Sequence, residues 1–455
     1  MSEILSLPVW TNSDVFKAVL EFDNGGTYTA ISDNFSESHV LSGLDVTESS
    51  AITSGNPTGI LEPNYCNLRI IDFTNNLLST NTSSPYYGYM RNGVKVNLYV
   101  SYDGGEFEPF GVYYTDDWSS EKSNGGYSEV SLSCVDNLEY IGNKELPPLP
   151  AYSGVNVVDM IKNILTGIGL TENDFNIDSS LSLTMIYAVT KSTTVREALN
   201  SISQALLARI YTDRSGVIQI VPALPTKEIK YKLNDLYIES FNVKHNKISQ
   251  YNKVKLLYNK VDNRPADTIL ELNNVLLSPG LNEFKNLQIN SNILSIDGVF
   301  VSAEADEVSN LDKIEFINYT AYQGGIDIFI FSNKTEDFYA NLEVIGRITG
   351  ITDAYVESEI KGTDVKVANT LTLENPVIQD VNVAQNYVNN VALYLQSMEQ
   401  EVIFSGSLSS CLGVQDYIQI ESDDKTVAGT YLITQINVVE GEAYSVSVTA
   451  VKIKG

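Results

Sequence analysis

His39 and His245 are the only two imidazoles in 455 residues. Each sits in a polar, strand-like stretch with no second metal ligand near it in sequence, so a structural role is expected for both. Asp116-Asp117, beside Trp118, could suggest the acid pair of a glycosidase. Neighbours along a strand point to opposite faces, however, so these two carboxylates are not expected to flank one bond. The acid-rich stretch from Ile420 to Gly429 lacks the ligand spacing of a calcium-binding loop and reads as a turn. The glycines at 104–105, 125–126 and 324–325 are turn glycines, because a phosphate cradle needs a strand before it and a helix after. Metalloprotease, nucleophile-elbow and phosphate-loop motifs are missing from the sequence. Cys66, Cys134 and Cys411 are an odd, scattered set, neither a disulfide framework nor a zinc cluster. They read as buried small apolar residues of a protein made in reducing cytosol. No catalytic, cofactor-binding or metal-ligating residue is assigned, and no cofactor is expected.

The charge is lopsided. Asp and Glu number 57 against 29 Lys and Arg, a net −28. Such a chain is not drawn to nucleic acid or anionic membrane by electrostatics. With 43% hydrophobic residues it can build substantial cores, and its length suits about three domains. Met1-Ser2-Glu3-Ile4 lacks a basic region and a long apolar core. No run approaches the roughly 18 apolar residues of a membrane helix, so neither a signal peptide nor a membrane span is expected. The 27 tyrosines, with many Thr, Val, Ile and Asn, are strand-and-turn chemistry.

The elements confirm that emphasis. Val94, Val96, Leu98 and Val100 alternate with polar residues, as do Val112 and Tyr114, and Val130, Leu132 and Cys134. This period of two predicts three strands sharing one apolar face, joined through Gly-Gly turns. Phe16–Phe22 and Thr27–Ile31 flank Asp23-Asn24-Gly25-Gly26, a further hairpin signal.

The run from Ser83 to Val100 ("SSPYYGYMRNGVKVNLYV"), then "FEPFGVYYTDDWS" and "EVSLSCVDNLEYIG", resembles the first barrel of tailed-phage tail hub proteins. That family includes the central hub of contractile-phage baseplates and the tail-tip hub of long-tailed siphophages. The strand Asn67–Phe73, after the Ser/Thr/Gly-rich stretch around residues 49–59, extends the resemblance over 40–145.

Leu146-Pro147-Pro148-Leu149-Pro150 is a stiff break. Beyond it, apolar residues at 157, 158, 161, 164, 165 and 168 have helical spacing. Thr194 and Glu197 form a capping box that opens a second helix with Val195, Ala198, Leu199, Ile202, Ala205 and Leu206 on one face. Arg209–Thr212 and Val217–Val221 pair across Asp213-Arg214-Ser215-Gly216. This module is similar to the one that follows the first barrel in hubs. Ile238–Val261 returns to strands and looks like the opening of the family's second barrel. The Asn-Pro-plus-helix stretch from Asn375 to Gln400 and the closing strands to Val451 match that barrel's end. The helix carries an apolar stripe at 384, 387, 388, 391, 394, 395 and 398.

The expected fold class is therefore mainly β (α+β), with two hub-type β-barrels in one chain. The divisions are 1–148, first barrel; 149–227, small α/β module; 228–262, second barrel, first part; 263–362, an inserted β-rich domain; and 363–455, second barrel, second part. The resemblance implies a structural virion protein of the tail tip or baseplate, assembled in the host cytoplasm. It implies a homotrimer, whose six barrels adapt a sixfold tube to a threefold tip and leave a channel for genome ejection. Implied partners are the tail tube or distal tail protein, the C-terminus of the tape-measure protein, and a central spike or tail fibre, without stable nucleic-acid binding. The competing readings are host-glycan binding by the insertion, through Tyr319, Tyr322 and Tyr339, and a cell-wall hydrolase.

Overall fold

In a computed structural model, the described residues are 5–6, 14–32, 39–49, 61, 63–102, 104–147, 153–187, 194–223, 228–234, 238–245, 251–263, 265–289, 293–302, 314–322, 324–361, 369–406, 408, 410–440 and 444–454.

The N-terminal unit contains β1 (Leu5–Ser6), β2 (Val15–Glu21), β3 (Thr27–Ile31), β4 (His39–Ser49), β5 (Tyr65–Asp72), β6 (Lys95–Ser101), β7 (Phe107–Lys122), β8 (Ser128–Asp136) and the short α1 (Asn137–Gly142). Strands β4-β3-β2-β6-β7-β8-β5 run side by side, and β5 pairs back on β4, which closes a barrel. Alternate residues fill it: Phe16, Ala18 and Leu20 from β2, Cys66, Leu68 and Ile70 from β5, and Val96, Leu98 and Val100 from β6. Each Phe, Leu, Ile or Val among them, removed from water, contributes about 1.5–3 kcal/mol.

The expected inward face of β7 is in the wrong phase. Tyr113 and Thr115 are buried, whereas Val112 and Tyr114 face outward and are half-buried. A bulge opposite Leu98 and Tyr99 inserts an extra residue, Phe110, and resets the alternation. Tyr114 stacks on Tyr140 of α1 instead.

The α/β module follows the proline-rich break. It holds β9 (Ser153–Asn156), α2 (Val157–Gly167), β10 (Phe175–Ile177), β11 (Thr184–Tyr187), α3 (Val195–Leu206), β12 (Ala208–Thr212) and β13 (Ile218–Pro222). The capping box at Thr194 and Glu197 is formed in both directions. The β12–β13 turn packs on the first barrel. Gly216 has φ +87°, and a Cβ there would lie 2.9 Å from Val112, so the turn requires glycine twice over. The same contact covers Val112 from outside.

Next come β14 (Ile229–Asn234), β15 (Ile238–His245), β16 (Lys253–Asn263), β17 (Asp267–Leu277), β18 (Gly280–Gln288), β19 (Ile293–Ser302), β20 (Ile314–Tyr322), β21 (Gly325–Ser332), β22 (Phe338–Glu359) and β23 (Thr370–Asn375). The chain ends in α4 (Val381–Ser397), β24 (Met398–Gly406), β25 (Tyr417–Glu421), β26 (Gly429–Glu440) and β27 (Ser445–Ile453). The second barrel unit is the sheet β14-β25-β26-β27-β24-β15, with β1 added beside β14. Among the described residues β14 and β15 do not pair, so this sheet stays open there.

The strand membership departs from the expected divisions at three strands, β16, β23 and β1. Residues 253–262 and 370–375, both placed in the second barrel, fall in β16 and β23, and β16 pairs with β22 and β23 in a separate sheet. That sheet and α4 pack against the α/β module around Val254, Leu256, Leu371, Val388 and Leu395. The stripe on α4 is otherwise as expected, from Ala384 to Met398. Finally, β1 leaves the first unit to join β14 of the second. The insertion is a two-sheet sandwich, β18-β21-β20 against β17-β22-β19, with Ile326, Ile328 and Ile330 facing Ala340, Leu342 and Val344.

The seam between barrels is backbone pairing. Strand β26 runs antiparallel to β4, with Val438 opposite Val46 and Asn437 opposite Thr47. Asn437 Nδ2 also donates to Asp45 Oδ1 at 2.8 Å. Side chains from both barrels then form one continuous core.

Candidate functional site

The sequence-singled residues do not converge. His39, on β4, shares a 2.7 Å hydrogen bond between its Nδ1 and the Tyr28 hydroxyl. Its Nδ1 lies 3.5 Å from Asp72 Oδ1. Asp72 is fully buried and accepts from the Thr74 amide and hydroxyl and from the Leu77 amide. Burial, and then Asp72, push the Tyr28 phenol far up. The group fastens the long turn region that follows β5. His245 ends β15, opposite Glu401; its side chain lies outside the described residues.

Asp116 and Asp117 are both exposed, at a bulge in β7 opposite β8. The loop at 422–428 is closed by Asp424, whose Oδ1 accepts from the Thr426 amide and hydroxyl. Among the described residues no three His, Cys, Asp or Glu side chains gather as metal ligands. No described helix is long and apolar enough to cross a membrane. Cys66 and Cys134 are buried directly opposite one another on β5 and β8, and Cys411 is half-buried.

Tyr319, Tyr322 and Tyr339 do not make one stacking platform. Tyr319, on β20, reaches the Ile296 carbonyl of the facing sheet, and the Tyr322 hydroxyl donates to Asp327 at 2.8 Å. Tyr339 is exposed on β22, in the other sheet.

What the fold does assemble is a polar junction where both barrels meet the module. It surrounds a cavity of about 220 Å³ whose lining includes Glu48 of β4, Asp136 of β8, Arg209 of β12, Arg214 of the β12–β13 turn, Lys230 of β14 and Asp416. Arg214 grips Glu48 with two nitrogens, at 2.8 and 3.0 Å, and donates to the carbonyls of Ser410 and Leu412. Burial disfavours its charge, but Glu48 outweighs this and holds the guanidinium above its ordinary range. Asp136 caps α1 and accepts from the amides of Asn64 and Glu139, while burial pushes its carboxyl up to about 6. Lys230 donates to Asp416 at 3.1 Å. A single side chain thus ties three units: Arg214 belongs to the module, Glu48 to the first barrel, and Ser410 and Leu412 to the second. Its position between Asp213 and Ser215 in a hairpin turn gave no sign of this in sequence.

No known protein-family profile matches the chain, and neither does any curated protein. Solved structures do. The tail protein from Neisseria meningitidis MC58 superposes with a TM-score of 0.54 at 9% identity, covering 96% of each chain. The 43 kDa tail protein of prophage MuSo2 from Shewanella oneidensis gives 0.52 at 10% identity, covering 96% of this chain and 100% of that one.

The chain has the fold of a phage tail protein.

The tail-protein fold extends over both barrels, the module and the insertion, since so little of the chain falls outside either alignment. The resemblance read from the meander is therefore carried by the architecture, and the mainly β fold class stands.

Proposed function

We propose that this chain is a structural tail protein, acting without catalysis as the hub between a tail tube and a tail tip in the virion. One observation carries the reading: the β4–β26 seam joins two barrel units in one chain through backbone pairing and a shared core. Three such chains present six similar units, which suits a threefold tip beneath a sixfold tube. The flank of the second barrel at β15, which pairs on one side only among the described residues, leaves a strand edge for subunit contacts. Proposed neighbours are the tail tube or distal tail protein, the tape-measure C-terminus and a central spike or fibre. A trimer carries 3 × −28 = −84 formal charges, which disfavours adhesion of a passing genome. Light scattering on the full chain, with a reconstruction of the particle, tests this reading. Three copies per particle are expected, and a sixfold or single-copy arrangement would falsify it.

A further inference from the structure

Arg209 is 1% exposed, yet among the described residues its Nε and Nη2 have no hydrogen-bond partner. The guanidinium lies over the Tyr211 ring, 3.8 Å from its centroid, at the wall of the junction cavity. Every carboxylate among the described residues that line the cavity is engaged elsewhere. Glu48 is held by Arg214, and Asp416 by Lys230 and the Gly413 amide. Asp136 is held by two backbone amides, and Asp213 by Ser215, Val217 and Gln219. Buried donors left without acceptors are costly.

We propose that the junction cavity binds a small monovalent carboxylate, gripped by Nε and Nη2 of Arg209. These two nitrogens form the side-on fork that matches the two oxygens of a carboxylate. Arg214 uses the same pair of nitrogens on Glu48, five residues along the chain. About 220 Å³ accommodates an acetate-sized ion. The nearby charges of Glu48 and Asp416 select against a dianion, because like charges repel strongly at low dielectric. Burial pulls the Arg209 guanidinium down, and the neighbouring Tyr211, Glu48 and Asp416 only partly offset this. A bound carboxylate joins β12 to the two barrels at the point where all three meet, so it stiffens the junction.

The test is calorimetric titration of the full chain with sodium acetate at constant ionic strength, with chloride as background. A parallel titration uses phosphate at a pH where it is dianionic. Saturable acetate binding is expected for the wild type. Arg209→Lys keeps the charge without the fork, and should weaken binding by about tenfold or more. Arg209→Met should abolish it, together with any acetate-dependent rise in melting temperature. The proposal is overturned by an absence of saturable acetate binding, by phosphate binding as tightly as acetate, or by undiminished binding in Arg209→Met. Should Arg209→Met fail to fold, Arg209→Lys decides: unchanged acetate affinity overturns the assignment.

Discussion

Arg214 and Glu48, 166 residues apart, form a two-pronged ion pair, Nε to Oε1 at 2.8 Å and Nη2 to Oε2 at 3.0 Å. The pair is partly enclosed, with Glu48 the deeper partner. Removing one side strands the other. Arg214→Ala should cost about 2–4 kcal/mol, less than a fully buried pair because Arg214 keeps some solvent contact. Arg214→Lys should recover only part of this, since an ammonium cannot reproduce the fork. Denaturant unfolding checks both, and a loss below about 0.5 kcal/mol for Arg214→Ala removes the tie.

Asp136 sets a pH dependence. Its carboxyl titrates at about 6 in the folded chain, against 3.8 ordinarily, chiefly because of burial. The folded state therefore binds the proton more tightly than the unfolded state. This contribution is fully present below pH 3.8 and is lost as pH rises through about 6. The loss is about 1–3 kcal/mol. Asp136→Asn should flatten stability between pH 4 and pH 7. A mutant slope equal to that of the wild type would contradict the assignment.

Asn263 and Thr349 face one another as backbone partners where β16 meets β22. Replacing residues 264–348 by a short Asn-Gly turn should leave a soluble, cooperatively folding body. Extending the deletion through residue 360 removes the half of β22 that pairs with β16. It also strips Val356 and Ile360 from the core around Val254 and Leu256, so that variant should aggregate. Circular-dichroism melts of the two distinguish them; the reverse outcome discards this placement of the insertion.

The thiols of Cys66 and Cys134 should resist modification in the native chain. Both are fully enclosed, and burial pushes Cys134 up to about 12 and Cys66 well up. Because the thiolate is the reactive form, a thiol-titrating reagent should find at most one fast equivalent before denaturation and three after it. Three fast native equivalents would show that β5 and β8 open readily.

The amino-acid sequence alone determined the most periodic elements. Alternation placed β6 and β8, spacing at 384, 387, 388, 391 and 395 placed α4, and Thr194 with Glu197 placed the start of α3. These signals are local, because side-chain direction repeats every two or 3.6 residues whatever the chain packs against. Only the tertiary structure decided which strands pair. β16 has the alternation of a barrel strand but lies on β22 and β23, and β1 crosses to β14. Periodicity carries no identity of the partner, and the bulge at Phe110 shows that even the phase depends on the neighbouring strand. The junction was illegible for the same reason. Glu48, Arg209, Arg214 and Ser410 lie far apart in sequence except for the two arginines, and each reads as an ordinary strand or turn residue. Barrel closure and the seam between β4 and β26 bring them together, and burial then turns a turn arginine into a three-way tie.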